Sequence, residues 1–400
     1  MTSLAENNNL KTSIERAIEI YPSYKKKIIA LGLNRRNIED VSDLESYPFM
    51  LKEDLKQYRH DKEYKISRYH SSSGTSGEPM NYPFSKNDLK SMDELLLGYL
   101  EKIGITEKDV VLNSFSYGLF TGGLILHSAF EKAGVSIIPT SVGRTINQIK
   151  LCNQLRATVI ACTPTYLIRF LITYLQENKN QPLPIKTAIC GGEIVSEEIK
   201  TFARDKFGIE VYNIYGLSEA GGPGVAMETQ KDQGLLINND YYYAETIPYK
   251  DLGDGYGELV LTSLKKDVMP LIRYRTGDLV KIDHNFNSIK GFQVISDVLQ
   301  RMDDMLIIKG VNIYPQKIDE LLFSIDGIVP IYTLTEISQK GYSELKITIE
   351  LLKESSDDRS VEIKIKDLIK ETIGISPIVE VYSYGYFDKQ SLKLRKICKN

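Results

Sequence analysis

From about Asp109 the chain repeats one pattern: a short apolar run, a Gly/Ser/Pro turn, then apolar positions at helical spacing. Val110–Phe115, Val135–Pro139, Ala157–Cys162 and Thr187–Cys190 are short, mostly apolar runs and predict buried strands. The segments between and after them, Leu124–Ala133, Thr145–Gln154, Tyr166–Asn178 and Ser196–Phe207, predict helices. Strands alternating with helices predict an α/β fold with a doubly covered, mainly parallel sheet. Ligands of such sheets gather beyond the carboxyl ends of the strands, which draws attention to the loops at 71–79 and 191–193.

The flanks differ in texture. Residues 10–70 alternate amphipathic helical patterns with turns, for example Ile14–Leu33 and Leu51–Tyr58. After Glu210 the pattern shortens to strands (Gly234–Asn238, Gly257–Thr262, Leu279–Asp283 and about Met305–Ile308), which predicts a β-rich subdomain. The last hundred residues predict a small α+β unit. In it Ile313–Ile325 and Ser360–Thr372 are helical, Leu345–Leu352 and Val379–Tyr386 are strands, and a basic tail follows. A boundary near 297–305 gives domains 1–300 and 301–400.

Bulk numbers narrow the function classes. Fifty basic against fifty-three acidic side chains in 400 residues remove the electrostatic argument for nucleic acid or an anionic membrane as main partner. Cys152, Cys162, Cys190 and Cys398 form no CxxC pair, and only four histidines are present, so a structural zinc site is not expected. No secretory signal opens the chain, and no apolar run approaches the roughly 20 residues that span a bilayer. A reduced cytoplasmic enzyme is the simplest expectation. The bias toward tyrosine, 25 with no tryptophan, has no physical explanation in the sequence.

Five segments can carry chemistry together. His70 to Pro79, HSSSGTSGEP, is dense in hydroxyls and poor in bulk, so its N–H groups and short donors can wrap polyanionic oxygens. No GK[ST] follows, which disfavours an ATPase-type or kinase-type loop. Tyr215-Gly-Leu-Ser-Glu219 closes an apolar run; its aromatic can stack on a purine and its carboxylate can hold a hard cation. Tyr274-Arg-Thr-Gly-Asp278 presents an acceptor suited to two ribose hydroxyls, although the same tripeptide is also a common turn. Arg301-Met-Asp-Asp304, followed by Gly310-Val-Asn-Ile-Tyr-Pro315, reads as a hinge. The tail Leu392-Lys-Leu-Arg-Lys-Ile397 by itself is an ordinary solvated basic end.

In their order, these segments resemble the adenylate-forming superfamily of acyl-CoA synthetases, luciferases and nonribosomal adenylation domains. Within it they resemble the phenylacetate–CoA ligase family, from about Tyr21 to the C-terminus. Ser116-Tyr-Gly-Leu-Phe-Thr-Gly-Gly123, Thr163-Pro-Thr-Tyr166, Ile214 to Glu228 and Ile272 to Asp278 add to the likeness.

The resemblance implies a mobile C-terminal lid and a set of roles. Ser71, Ser72, Ser73, Gly74, Thr75, Ser76 and Gly77 would close on the β- and γ-phosphates of ATP. Gly191, Gly192, Glu193 and Tyr215 would frame adenine, with Gly216 and Ser218 in the same nucleotide site. Glu219 would bind Mg²⁺, Asp278 the ribose and Arg301 the nucleotide near the domain junction. Asp303 would be the pivot, and Lys393 the catalytic lysine of adenylation. Tyr117, Phe120, Gly191, Gly192, Ala220, Gly221 and Pro223 would wall the acid pocket, which favours an aryl or arylacetic acid. Gly310, Val311, Asn312 and Tyr314 would line the path of coenzyme A.

The chain departs from the family pattern in three places. Gln300 replaces the usual glycine before Arg301, and Leu392 replaces the glycine before Lys393, which leaves Lys389 and Lys396 as alternatives. Met227 to Leu236 lacks the Cys and His of relatives that carry a metal there, which argues against zinc. Other readings are a stand-alone enzyme that loads a carrier-protein phosphopantetheine, a protein that acylates itself at Cys398, and an AMP-binding scaffold without catalysis. A homodimer is left open.

Overall fold

The computed structural model describes all residues except 1–3, 34–37, 60–63, 72–79, 178–181, 232, 250–254, 283–290, 297, 299, 302–305, 310, 326–327, 340–341, 352–357, 384, 388–394 and 400. Its contacts divide the chain into two units. One comprises Met1–Cys162, Pro182–Gly192 and Val211–Val298; the other comprises Thr163–Gln181, Glu193–Glu210 and Leu299–Asn400.

The first unit is organised by an eight-stranded sheet. In spatial order its strands are Phe292–Ile295, Leu235–Asn238, Gly222–Glu228, Glu210–Leu217, Thr187–Gly191, Val159–Cys162, Val110–Asn113 and Ser136–Ile138. The four predicted strands form its parallel part, with Val110 opposite Ser136, Val111 opposite Val159, and Val159 opposite Thr187. Val159–Cys162 is buried at every position, which is why it reads as an unbroken apolar run. Beyond Glu210 the sheet continues antiparallel, pairing Ile214 with Met227, Met227 with Leu236, and Asn238 with Phe292. The β-rich texture thus divides between this extension and an antiparallel sheet of Tyr242–Pro248, Tyr256–Ser263 and Tyr274–Lys281.

Helices Lys86–Lys102 and Thr121–Lys132 pack on each other and against the strand Gly222–Glu228. The first is opened by a capping box in which Ser85 Oγ accepts from the Asp88 N–H while the Asp88 carboxylate accepts from the Ser85 N–H. The predicted helix Ile14–Leu33 is two helices, Leu4–Ile20 and Pro22–Ala30. Pro22 holds Tyr21 extended, at φ −115° and ψ 92°, and so breaks the pattern. Leu51–Tyr58 yields only the short helix Lys52–Leu55.

In the second unit, helices Pro164–Glu177 and Glu197–Phe207 pack together. Its C-terminal sheet runs Ile378–Tyr382, Tyr342–Leu351, Ile328–Gln339, Arg395–Lys399. Helices Pro315–Phe323 and Asp358–Ile373 supply Ile318, Leu322, Ile365 and Ile369 to its core. The helix expected at Ile313–Ile325 starts only at Pro315, because Val311–Ile313 pairs with Leu306–Ile308 as a hairpin. The strand expected over Val379–Tyr386 stops at Tyr382, beyond which Tyr386 folds back to stack on Tyr382 with ring centroids 3.8 Å apart. The basic tail ends in a strand, with Lys396 opposite Thr333 and Cys398 opposite Thr335.

Candidate active site

Among the described residues of the first unit, two of the expected nucleotide-binding residues meet in one hydrogen bond. Tyr215, near the end of Glu210–Leu217, donates its hydroxyl to Asp278 Oδ2 at 2.6 Å across 63 residues of chain. Asp278 is buried, and its N–H donates to Thr276 Oγ1 at 3.1 Å. The Gly277 N–H donates to Glu258 Oε1 at 3.1 Å, and Arg275 holds Glu258 Oε2 with two guanidinium N–H groups. The turn that presents Asp278 is therefore tied down on both sides. A carboxylate fixed in this way suits recognition of two adjacent hydroxyls.

Glu219 follows on the turn after that strand, half-buried. Tyr82 donates to its Oε1 at 3.2 Å. The Lys266 ammonium donates to its backbone carbonyl. Lys266 lies 5.4 Å from the centre of the Phe84 ring. Burial pulls the Lys266 pKa down to about 8, against the pull of the nearby Asp88 and Glu219 carboxylates. Asp88 in turn accepts from the Asp267 N–H at 2.6 Å, which anchors the segment carrying Lys266 to the start of the helix Lys86–Lys102. Sequence reasoning missed Tyr82, Asp88 and Lys266. The Ser85/Asp88 capping signature was legible, but nothing in the sequence placed Lys266 beside it.

The residues expected to wall an acid pocket lie on several segments. After the strand Val110–Asn113, Asn113 Nδ2 donates to the Tyr117 hydroxyl at 2.7 Å, and that hydroxyl lies 3.0 Å from His127 Nδ1. The other ring nitrogen of His127, Nε2, faces Glu131 at 3.2 Å. Burial raises the Tyr117 pKa to about 12, so it stays a phenol. Phe120 is exposed at the start of the next helix.

This loop also meets the strand Ile66–Ser71. Leu119 O accepts from the Ser71 N–H at 2.9 Å and from His70 Nδ1 at 3.1 Å. Ala220 is buried, and its carbonyl accepts from Tyr242 at 2.7 Å; Gly221 ends the same turn, and Pro223 lies on the strand Gly222–Glu228. Gly191 is required by the sheet itself, since a Cβ there would sit 2.2 Å from the Ile214 carbonyl oxygen. Gly216 is required likewise, with its Cβ position 1.9 Å from the Gly222 carbonyl oxygen. Ser218 is half-buried on that turn and accepts from the Gly221 N–H through its carbonyl.

Gly192 is exposed at φ +79°. Glu193, expected beside adenine, accepts from the Thr165 N–H at 3.1 Å and from the Thr165 hydroxyl at 2.5 Å. It thereby satisfies a free N–H in the first turn of Pro164–Glu177 and complements the helix dipole. Arg301 is exposed on the two-residue strand Gln300–Arg301. Val311 and Asn312 lie on their hairpin strand, with Asn312 opposite Ile307, and Tyr314 caps Pro315–Phe323. Ser72, Ser73, Gly74, Thr75, Ser76, Gly77, Asp303, Gly310 and Lys393 lie outside the described residues, as does Lys389.

A model of the AMP-binding enzyme family matches residues 69–247, and one of the AMP-binding enzyme C-terminal domain matches 310–400. The chain is 32% identical over 412 residues to the phenylacetate-coenzyme A ligase of Escherichia coli (strain K12), covering 98% of this chain and 93% of that one. It is 34% identical over 395 residues to the phenylacetate-coenzyme A ligase of Aromatoleum evansii, covering 93% and 88%. In fold it matches 2-hydroxyisobutyryl-CoA ligase, solved in the postadenylation state with 2-HIB-AMP, at a TM-score of 0.85 and 20% identity over 99% of this chain and 89% of that one. The family models and the two relatives above 30% identity over most of the chain define the class, an adenylate-forming enzyme. The chain belongs to the phenylacetate–CoA ligase family of that superfamily.

Proposed function

We propose that this protein is an AMP-forming acid–CoA ligase that converts an aryl or arylacetic carboxylate to its acyl-adenylate and then to its coenzyme A thioester. The observation that carries the reading is Asp278, 3% exposed and fixed by the Tyr215 hydroxyl at 2.6 Å. A carboxylate is a poor acyl donor because oxide is a poor leaving group. Its attack on the α-phosphorus of ATP, with loss of pyrophosphate, exchanges that leaving group for AMP. Such transfers depend on positioning and charge stabilisation more than on covalent help from the protein.

Asp278 orients the ribose and Tyr215 the purine, while Ser71 to Gly77 receive the β- and γ-phosphates. Lys393 neutralises charge shared by the carboxylate and the α-phosphate. Tyr117 and Phe120 flank the acid, and support for an aromatic one comes from the phenylacetate-coenzyme A ligases that this chain resembles.

Glu219 suits Mg²⁺. No group of three acidic, His or Cys side chains capable of holding a metal occurs among the described residues, and a single pinned carboxylate fits a cation that takes its other ligands from phosphate and water. When bound, Mg²⁺ would neutralise charge on the phosphates.

For the second step, residues 301–400 act as a lid that turns about Asp303 and brings Gly310 to Tyr314 alongside the pantetheine arm. The enzyme works in the cytoplasm, a reading supported by Cys152 and Cys190, which form no disulfide among the described residues. The test is a pyrophosphate-release screen over benzoic, phenylacetic, anthranilic, salicylic and aliphatic acids, with and without coenzyme A. An aromatic acid should give AMP and pyrophosphate, and a thioester only when coenzyme A is added. Formation of ADP would overturn the mechanism, and transfer only to a holo carrier protein would replace coenzyme A as acceptor.

A further inference from the structure

Arg169 and Glu350 meet across 181 residues of chain. Arg169 Nη1 donates to Glu350 Oε1 at 2.9 Å and Nη2 to Oε2 at 3.2 Å, a two-pronged pair with side chains 8% and 0% exposed. The same two oxygens accept from the Gly385 and Phe387 N–H groups, each at 2.9 Å. One buried carboxylate on the strand Tyr342–Leu351 thus grips a guanidinium on the helix Pro164–Glu177 and the backbone only a few residues before Lys393.

An exposed ion pair contributes little, but a desolvated one with its oxygens satisfied is costly to break from one side. It therefore favours one arrangement of the parts it joins. Arg169 and Glu350 share the second unit but lie on opposite sides of Asp303 in the sequence, so the lid motion proposed above, with 301–400 turning against 1–300, would part them.

Resting on the two-step reading above, the geometry points to Arg169 and Glu350 as positioning residues for adenylation. Their pair holds the root of the C-terminal lysine segment in the adenylating arrangement and is released for thioester formation. It touches none of the reacting atoms. Its loss should therefore impair one half-reaction and spare the other.

The test compares full-length wild type, Arg169→Met and Arg169→Lys in two assays: single-turnover pyrophosphate release from ATP and acid, and thioester formation from synthetic acyl-adenylate plus coenzyme A. Arg169→Met should slow the first by about tenfold to a hundredfold, the scale of a misplaced positioning group, and leave the second within about twofold. Arg169→Lys keeps the charge but not the fork, and should fall between wild type and Met. An equal fall in both half-reactions, or none in the first, overturns the proposal. If Arg169→Met does not fold, the ratio of the two rates in Arg169→Lys is judged by the same criteria. If wild type itself releases no pyrophosphate with any acid, it is the parent reading that fails.

Discussion

At the scale of single residues, the Tyr215–Asp278 hydrogen bond gives a direct test of the nucleotide site. Tyr215→Phe keeps the aromatic face and removes only the donor that orients the buried carboxylate. Hydrogen bonds to charged groups contribute about 1.5–3 kcal/mol, so KM for ATP should rise about tenfold to a hundredfold with the KM for acid nearly unchanged. An unchanged KM for ATP would detach the pair from nucleotide binding. His70 offers a test by pH. Burial, aided by Arg68, holds its pKa below the ordinary 6.5, so the native state prefers the neutral ring while the unfolded chain takes up a proton near 6.5. Stability is constant above that pH and falls as pH drops through it, with a slope of at most about 1.4 kcal/mol per pH unit. His70→Asn keeps a donor for Leu119 O and lacks the proton site, so the wild-type and variant stability curves from denaturant melts should converge in acid. Parallel curves would refute the assignment. What was legible at this scale was the motif order: Tyr215, Glu219 and Asp278 were each picked from local chemistry. Tyr82, Lys266 and Arg169 were not, because their roles arise from partners 137, 47 and 181 residues away.

Among the elements, the most legible were those whose burial is uniform. Val159–Cys162 and Thr187–Gly191 are enclosed almost throughout, so apolar content alone revealed them. Ile328–Gln339 escaped notice because its second half, Thr-Glu-Ile-Ser-Gln, mixes polar and apolar residues without a clean period. The helix Lys86–Lys102 was passed over despite its Ser85/Asp88 signature, since its start abuts the strand Asn81–Ser85 with no intervening turn. Two adjacent glycines show how an element decides a residue. At Gly191 a methyl group would meet the Ile214 carbonyl, and the strands Thr187–Gly191 and Glu210–Leu217 would have to separate. At Gly192 nothing lies within 4 Å, and the cost is only that of a left-handed backbone at φ +79°. Gly191→Ala should therefore destabilise by about 3 kcal/mol or more, at the upper end of overpacking. Gly192→Ala should cost about 1–2 kcal/mol. Denaturant midpoints of the two variants compare them directly, and equal losses would mean that the sheet does not impose the difference.

For the whole molecule, the decisive question is whether two half-reactions draw on different residues of one chain. In the function proposed above, adenylation uses a cation at the α-phosphate, and thioester formation has that cation withdrawn and a thiol in its place. The family pattern assigns the cation to Lys393, with Lys389 and Lys396 as the other candidates in the tail. The structure places the backbone of Lys396 on the strand Arg395–Lys399, opposite Thr333. Lys393→Ala should cut pyrophosphate release by about a hundredfold or more, the loss typical of one preorganised donor. Thioester formation from preformed adenylate should remain close to wild type in the same variant. Lys389→Ala and Lys396→Ala should each change either rate by no more than about threefold, a change below 1 kcal/mol. Single-turnover rates for the three variants fix the register. If the large loss falls on Lys389→Ala or Lys396→Ala instead, the catalytic cation belongs to that lysine. If none of the three loses adenylation, the positive charge at the α-phosphate comes from elsewhere in the chain, and the division of labour between the two steps cannot depend on the tail.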